Sequence, residues 1–236
     1  MKDILFLLAL TVAVVSGFTD TKPQTGIFKK GTEIKQAPTT ERLRWYAAQA
    51  KSEGRREIKI PSLKIEYSGD STAITLDEAL KVSTVVVAQL VEKKSYEQSG
   101  NNIVTWNKFR ITDVLSEAQE TPCPLCLSDK PPQEMLPLQS REFLLSKSGG
   151  RINIDGVAVE QVESAFPEFQ ENRTYVLFLT LHPTGVAETI GGPVGVFRLD
   201  DRGNALPVSD SSHLLKKEFK DKFGNSPERL RGRTRE

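Results

Sequence analysis

Thr84-Val85-Val86-Val87-Ala88-Gln89-Leu90-Val91-Glu92 is followed by the turn-forming Ser99-Gly100-Asn101-Asn102 and by a second extended run over 103–115. β-Branched and apolar residues crowd the first run, and such side chains suit a pleated, packed surface. With turn chemistry between them, the two runs predict one long hairpin. In its second arm Phe109 and Ile111 fall on one face while Lys108, Arg110 and Thr112 fall on the other, so one face is expected to be wet. Trp106 shares the parity of Lys108 and Arg110. These three residues form a candidate binding face of the aromatic and basic kind, although core packing or edge protection is the favoured reading of Trp106.

Downstream the strand signals multiply. Arg141-Glu142-Phe143-Leu144-Leu145-Ser146 reads as a third strand ended by Gly149-Gly150. In Ile152-Asn153-Ile154-Asp155-Gly156-Val157-Ala158-Val159 an Asp-Gly pair sits between alternating apolar residues, which predicts a hairpin with a type I′ turn. The apolar run Tyr175-Val176-Leu177-Phe178-Leu179-Thr180-Leu181 predicts a strand buried on both faces. His182-Pro183-Thr184-Gly185 turns the chain, 186–190 runs back, Gly191-Gly192-Pro193 turns it again, and 194–199 supplies a last strand. Short strands at this spacing imply an all-β barrel or sandwich. Gly191, Gly192 and Gly195 suit the bends of a small barrel. The fold class expected is mainly β: a small OB-like antiparallel β-barrel with a short helix before it and a helix after it.

That first helix opens with Thr75-Leu76-Asp77-Glu78, a capping box. The last one places Leu215, Phe219 and Phe223 four apart, with Ser212 as expected cap and Gly224 as its stop, and it is expected to plug one barrel end. Ahead of the barrel, 41–50 is rich in helix formers, with Leu43, Tyr46, Ala47 and Ala50 on one face. The start, Met1-Lys2-Asp3 followed by a dozen apolar residues and Ser16-Gly17, has the form of a secretory signal peptide and is short for a membrane span. Four regions follow: 1–17 signal peptide, 18–74 linker and N-terminal helical extension, 75–210 β-barrel, 211–236 C-terminal helix and basic tail. The protein is expected to be exported, to a periplasm, a cell surface or the exterior, with no transmembrane anchor after signal removal.

The net charge of +1 sets up no strong overall field, and acids interrupt the basic residues at both ends, so nucleic acid is not an expected partner. The only cysteines lie in Pro122-Cys123-Pro124-Leu125-Cys126. A redox pair needs a helix N-terminus to stabilise a thiolate, whereas Leu127-Ser128-Asp129-Lys130-Pro131-Pro132 cannot continue a helix. Zinc takes about four ligands, and the only histidines, His182 and His213, stand in separate segments. In an exported chain the pair reads as a local Cys123–Cys126 disulfide, with idle or intermolecularly paired thiols and redox or metal chemistry as alternatives. Ser209-Asp210-Ser211-Ser212-His213 holds all three triad residue types, but neighbours in sequence do not converge as a triad must. Gly191-Gly192-Pro193-Val194-Gly195 lacks the Lys-Ser/Thr and the helix of a phosphate loop.

From "ITLDEALKVSTVVVAQLVEKKSY" through "IVTWNKFRITDVLSEA", "INIDGVAVE", "FPEFQENRTYVLFLTLHPTGVAE" and "GGPVGVFRLDDRGNALPV", the chain resembles a group of exported bacterial proteins to which no biochemical activity is attached. Its order of elements is distantly similar to the OB-type barrels of netrin-like and tissue-inhibitor-of-metalloproteinase modules. Those inhibitors seize a catalytic metal with an N-terminal cysteine, and a mature chain beginning near Phe18 lacks that device. The expectation is therefore a non-enzymatic binding module, without catalytic residues or cofactor, for a protein or polymer of the cell envelope or exterior. A thiol-disulfide protein using Cys123 and Cys126, and a structural envelope component, are the alternatives.

Overall fold

The computed structural model describes residues 40–61, 74–119, 130–164, 166, 168–209 and 213–231. The expected signal peptide, the leader up to residue 39, the loop with Cys123 and Cys126, and the cap Ser212 lie outside the described residues. In chain order the elements are α1 (Arg42–Ser52), β1 (Glu57–Pro61), α2 (Leu76–Val82), β2 (Thr84–Gln98), β3 (Asn102–Ser116), β4 (Glu142–Ser148), β5 (Gly150–Ile154), β6 (Val157–Val162), β7 (Thr174–Leu181), β8 (Val186–Thr189), β9 (Val196–Leu199), β10 (Ala205–Pro207) and α3 (Leu214–Phe223). The protein is mainly β.

The long hairpin is β2 and β3, paired antiparallel from Val85↔Ser116 to Gln98↔Asn102. The register skips Leu115 and Thr112 of β3 and Val91 of β2, and these irregularities bend the hairpin, because each extra residue breaks the ladder and adds twist. That curvature lets the sheet return on itself. Strands β7, β2, β3 and β4 are antiparallel neighbours in that order, β8 lies parallel to β4 through Leu144↔Val186 and Leu145↔Ala187, and β8 also pairs back to β7. The pairings thus close into a ring, with β9 and β10 extending outward from β7.

Alternate residues of every ring strand point inward. Val86, Ala88, Leu90, Phe109, Phe143, Leu145, Tyr175, Leu177, Leu179 and Ala187 form one buried cluster, joined by Phe166 and Phe169. The opposite parity of β2, β7 and β9, including Val85, Val87, Phe178 and Phe197, packs under α2 and α3 through Leu76, Leu215, Phe219 and Phe223. Helix α3 therefore lies on the outside of the sheet and does not plug an end. It starts after His213, which makes no side-chain cap, and stops at left-handed Gly224 as its sequence implies. The capping box of α2 forms in full: the Thr75 hydroxyl accepts from the Glu78 N–H and the Glu78 carboxylate accepts from the Thr75 N–H.

A second, three-stranded sheet has the order β1-β6-β5. Its hairpin turns at Asp155-Gly156 with φ of 51° and 84°, as the type I′ reading requires. Strand β1 runs parallel to β6, and α1 covers the sheet with Leu43, Tyr46, Ala47 and Ala50 against Ile58, Ile60 and Val159. The N-terminal helical extension is thus part of a small α/β layer that borrows two strands from the segment read as barrel. Gly149 and Gly150 carry the chain from one sheet into the other at φ of 85° and 139°; a Cβ on Gly150 would collide with the Ser95 and Thr105 hydroxyls.

Candidate functional site

The face named from sequence parity exists, but the chain covers it. Trp106 is 3% exposed, packed with Val104, Leu144, Val186 and Met135, the last carried on a 3-10 turn at Gln133–Met135. Residues 130–139 lie across the outer side of β3 and β4 like a strap, pinned where Glu134 pairs with Lys94. Of the two readings of Trp106, core packing is the one that holds: an apolar ring on a sheet surface is buried when a connection has a side chain such as Met135 to set against it. Lys108 pairs with Glu92 at 3.1 Å and Arg110 with the buried Glu142 carboxylate at 2.8 Å. Burial works to raise the Glu142 pKa, but the Gln139 N–H and the Arg110 guanidinium outweigh it and hold the carboxyl below its ordinary value. All three named residues are brought together, as a packed and charge-matched surface.

The inward face changes character at one end of the ring. Following the parity of Phe109 and Phe143 along β3 and β4 leads to Asn107 and Thr105, and to Leu145 and Lys147. Phe166 and the segment 168–171 close this end, with Phe169 edge-on to Phe109 and to Tyr175. Lys147 is buried with its Nζ donating to the Phe166 carbonyl at 2.8 Å and lying 5.8 Å from the Phe166 ring centre. Its pKa is lowered, by burial first, against the opposing pull of the Glu168 and Glu163 charges. Asn107, 1% exposed, donates to the Thr105 and Leu145 carbonyls while its Oδ1 finds no partner among the described residues. This end is a polar plug: Lys93 also ties down the closing segment, through Glu168 and the Phe169 carbonyl.

On the far side of the same segment is a cavity of about 180 Å³, lined by Glu168, Phe169, Gln170, Tyr175, Arg198, Pro207 and Val208. Strands β7 and β9 place Tyr175 directly across from Arg198, and β10 sets Pro207 beside them. Tyr175 is 2% exposed and its hydroxyl oxygen accepts the Gln170 N–H at 2.7 Å. Burial raises its pKa, opposed by that hydrogen bond and by the charges of Arg198 and Arg173, so the phenol keeps its proton at neutral pH. That proton has no acceptor among the described residues. Arg198 is exposed, and its guanidinium makes no hydrogen bond or ion pair with the described residues, whereas neighbouring Arg173 pairs with Asp201 at 3.7 Å. The cleft combines the hydrocarbon of Phe169, Pro207 and Val208 with the polar Glu168, Gln170, Tyr175 and Arg198, a mixture of apolar contacts and polar groups of the kind a ligand site uses.

Neither Arg198 nor Tyr175 was singled out by sequence reasoning. The available signal was an arginine interrupting the apolar run Val194-Gly195-Val196-Phe197 and Leu199, but its value depends on the short β10, which no pattern announces. Among the described residues no group of three or more His, Cys, Asp or Glu is placed to hold a metal ion, and no helix is long and apolar enough to cross a membrane. Comparison with family models, with curated proteins and with solved structures finds no match.

Proposed function

We propose that this chain is an exported, non-enzymatic binding module built on an OB-type β-barrel, and that its partner, a protein or polymer of the cell envelope or exterior, is engaged at the Arg198 cleft. The architecture is supported by the ring order: three strands in a meander, β2, β3 and β4, then two whose places are exchanged, so that β8 lies beside β4 and β7 beside β2. Such an exchange is the Greek-key arrangement of a five-stranded OB-type barrel. The observation that carries the binding function is the pair of donors, Arg198 and the Tyr175 hydroxyl, left without acceptors in one cleft. Arg198 is exposed, so a ligand that supplies acceptors meets its donors without first breaking a contact within the protein.

The test is a photoreactive side chain at Val208, on the cleft wall, with Glu57 on the small sheet as control position, in the cell that exports the protein. A discrete adduct from Val208, absent from Glu57 and lost in Arg198→Ala, is the expected result. Identical adducts from both positions, or none from Val208, would sink the proposal. Export is tested apart from binding, by intact mass: the mature chain is expected to begin near Phe18.

A further inference from the structure

We infer that the cleft recognises a single carboxylate bearing a short apolar group. This deepens the reading of the cleft as a ligand site and rests on it. The inference follows from matching the lining to a chemistry. Arg198 offers a planar fork of N–H donors that fits the two oxygens of a carboxylate. Tyr175 adds a third donor from a fixed position: its ring is buried among Phe109, Phe169 and the strands, and its oxygen is already committed to the Gln170 N–H, so its proton must point elsewhere. Phe169, Pro207 and Val208 supply hydrocarbon walls, and Gln170 adds a side-chain amide.

Size and charge narrow the class. A volume of about 180 Å³ is smaller than the roughly 300–1,000 Å³ of pockets that enclose drug-sized ligands, so the group it takes is small. Glu168 also lines the cleft, with Lys93 as its partner at 3.4 Å. A doubly charged phosphate in this cleft is repelled by that carboxylate more strongly than a singly charged ligand held at Arg198. Two sources present this chemistry: a small free organic acid, and the C-terminal residue of a peptide with an aliphatic side chain.

The experiment follows the Arg198 Nε–H and Tyr175 ring signals of the isotope-labelled full chain by NMR. The probes are isovalerate, isovaleramide, inorganic phosphate, and N-acetyl-alanyl-valine as free acid and as amide. Saturable shifts of both residues with an acid, about tenfold weaker in Arg198→Gln and severalfold weaker in Tyr175→Phe, are the expected result. Binding of isovalerate alone identifies a small acid as the source; binding of the free-acid peptide alone identifies a chain terminus. Amides that bind as well as the acids, phosphate that binds more tightly than either, or no saturable shift with any acid would each overturn the inference. The last outcome together with an Arg198-dependent adduct from Val208 would leave the cleft a ligand site and remove the carboxylate; loss of both removes the site.

Discussion

The Trp106 face and the Arg198 cleft are built from the same ingredients: aromatic rings, long basic side chains and a segment of chain laid across the strands. On the Trp106 face three cations are paired, Lys94 with Glu134, Lys108 with Glu92 and Arg110 with Glu142. In the cleft Arg198 has no such partner among the described residues, although Arg173 in the same neighbourhood has found Asp201. The two regions differ in what the covering segment contributes. Residues 130–139 bring Met135 to fill the surface and Glu134 to neutralise it, while 168–171 turn Phe169 inward and give Glu168 to Lys93, leaving a gap beyond. On the proposed reading, an aromatic and basic surface keeps donors for a ligand only where its charges stay unmatched after folding. The matched one is architecture.

The largest effect expected from that contrast is at Trp106. Removing its indole empties a fully covered pocket, and Trp106→Ala should cost about 3–5 kcal/mol in urea unfolding, with no change at the cleft. A cost below about 1 kcal/mol would mean that the strap does not bury the ring, and would return the face to candidacy for binding. Next in size is Arg110→Ala, expected to cost about 1–3 kcal/mol by leaving the buried Glu142 carboxylate short of a partner. This pair also has a pH signature. With its folded pKa lowered, Glu142 contributes stability that is present above the ordinary carboxyl value and is lost as pH falls through the folded value. The variant should show a shallower acid loss than the parent; an unchanged acid limb would uncouple Arg110 from Glu142.

How much of this was legible follows the range of the interactions. The long hairpin, the Asp155-Gly156 turn and the Thr75 capping box are written in neighbouring residues, and they appear where the sequence puts them. Strand β1 is different. Glu57-Ile58-Lys59-Ile60 alternates like a half-buried strand, but nothing local says that its partner is β6, far along the chain. The strap is harder still, since Gln133-Glu134-Met135 has no period and its effect on Trp106 comes from where the connection crosses. Lys147 was legible in principle: it shares parity with Phe143 and Leu145, so β4 had to turn it inward or break its pattern. Arg198 and Tyr175 could not be joined before β7 and β9 were known to be neighbours.

Lys147 tests the polar plug between the two regions. Lys147→Met keeps the volume and should change stability at neutral pH by less than about 1.5 kcal/mol. Its sharper reading is again pH. Burial lowers the folded pKa of Lys147, so between that value and the ordinary lysine range the unfolded chain holds more protons, and stability rises with pH. Tyr175 acts in the opposite sense, because its raised folded pKa makes stability fall as pH climbs past the ordinary phenol value of about 10. The parent curve mixes both. Subtracting the Lys147→Met curve from it should leave a difference that rises with pH, and a flat difference would show that Lys147, with Glu163, Glu168 and Lys93 around it, carries no net penalty for its burial.

The smallest expected effect says most about the comparison. If Arg198 is unmatched in the folded chain, removing it breaks no contact, and Arg198→Ala should leave stability within about 0.5 kcal/mol of the parent while abolishing the saturable NMR shifts of Tyr175. Thermal or urea unfolding beside the titration reads both quantities on one sample. A loss of more than about 1 kcal/mol would mean that the guanidinium already serves the fold, much as Arg110 does at Glu142, and the distinction between a matched face and an open cleft would fail. Stability and binding are thus predicted to separate at Arg198 and to stay together at Arg110, where the charge has no second use.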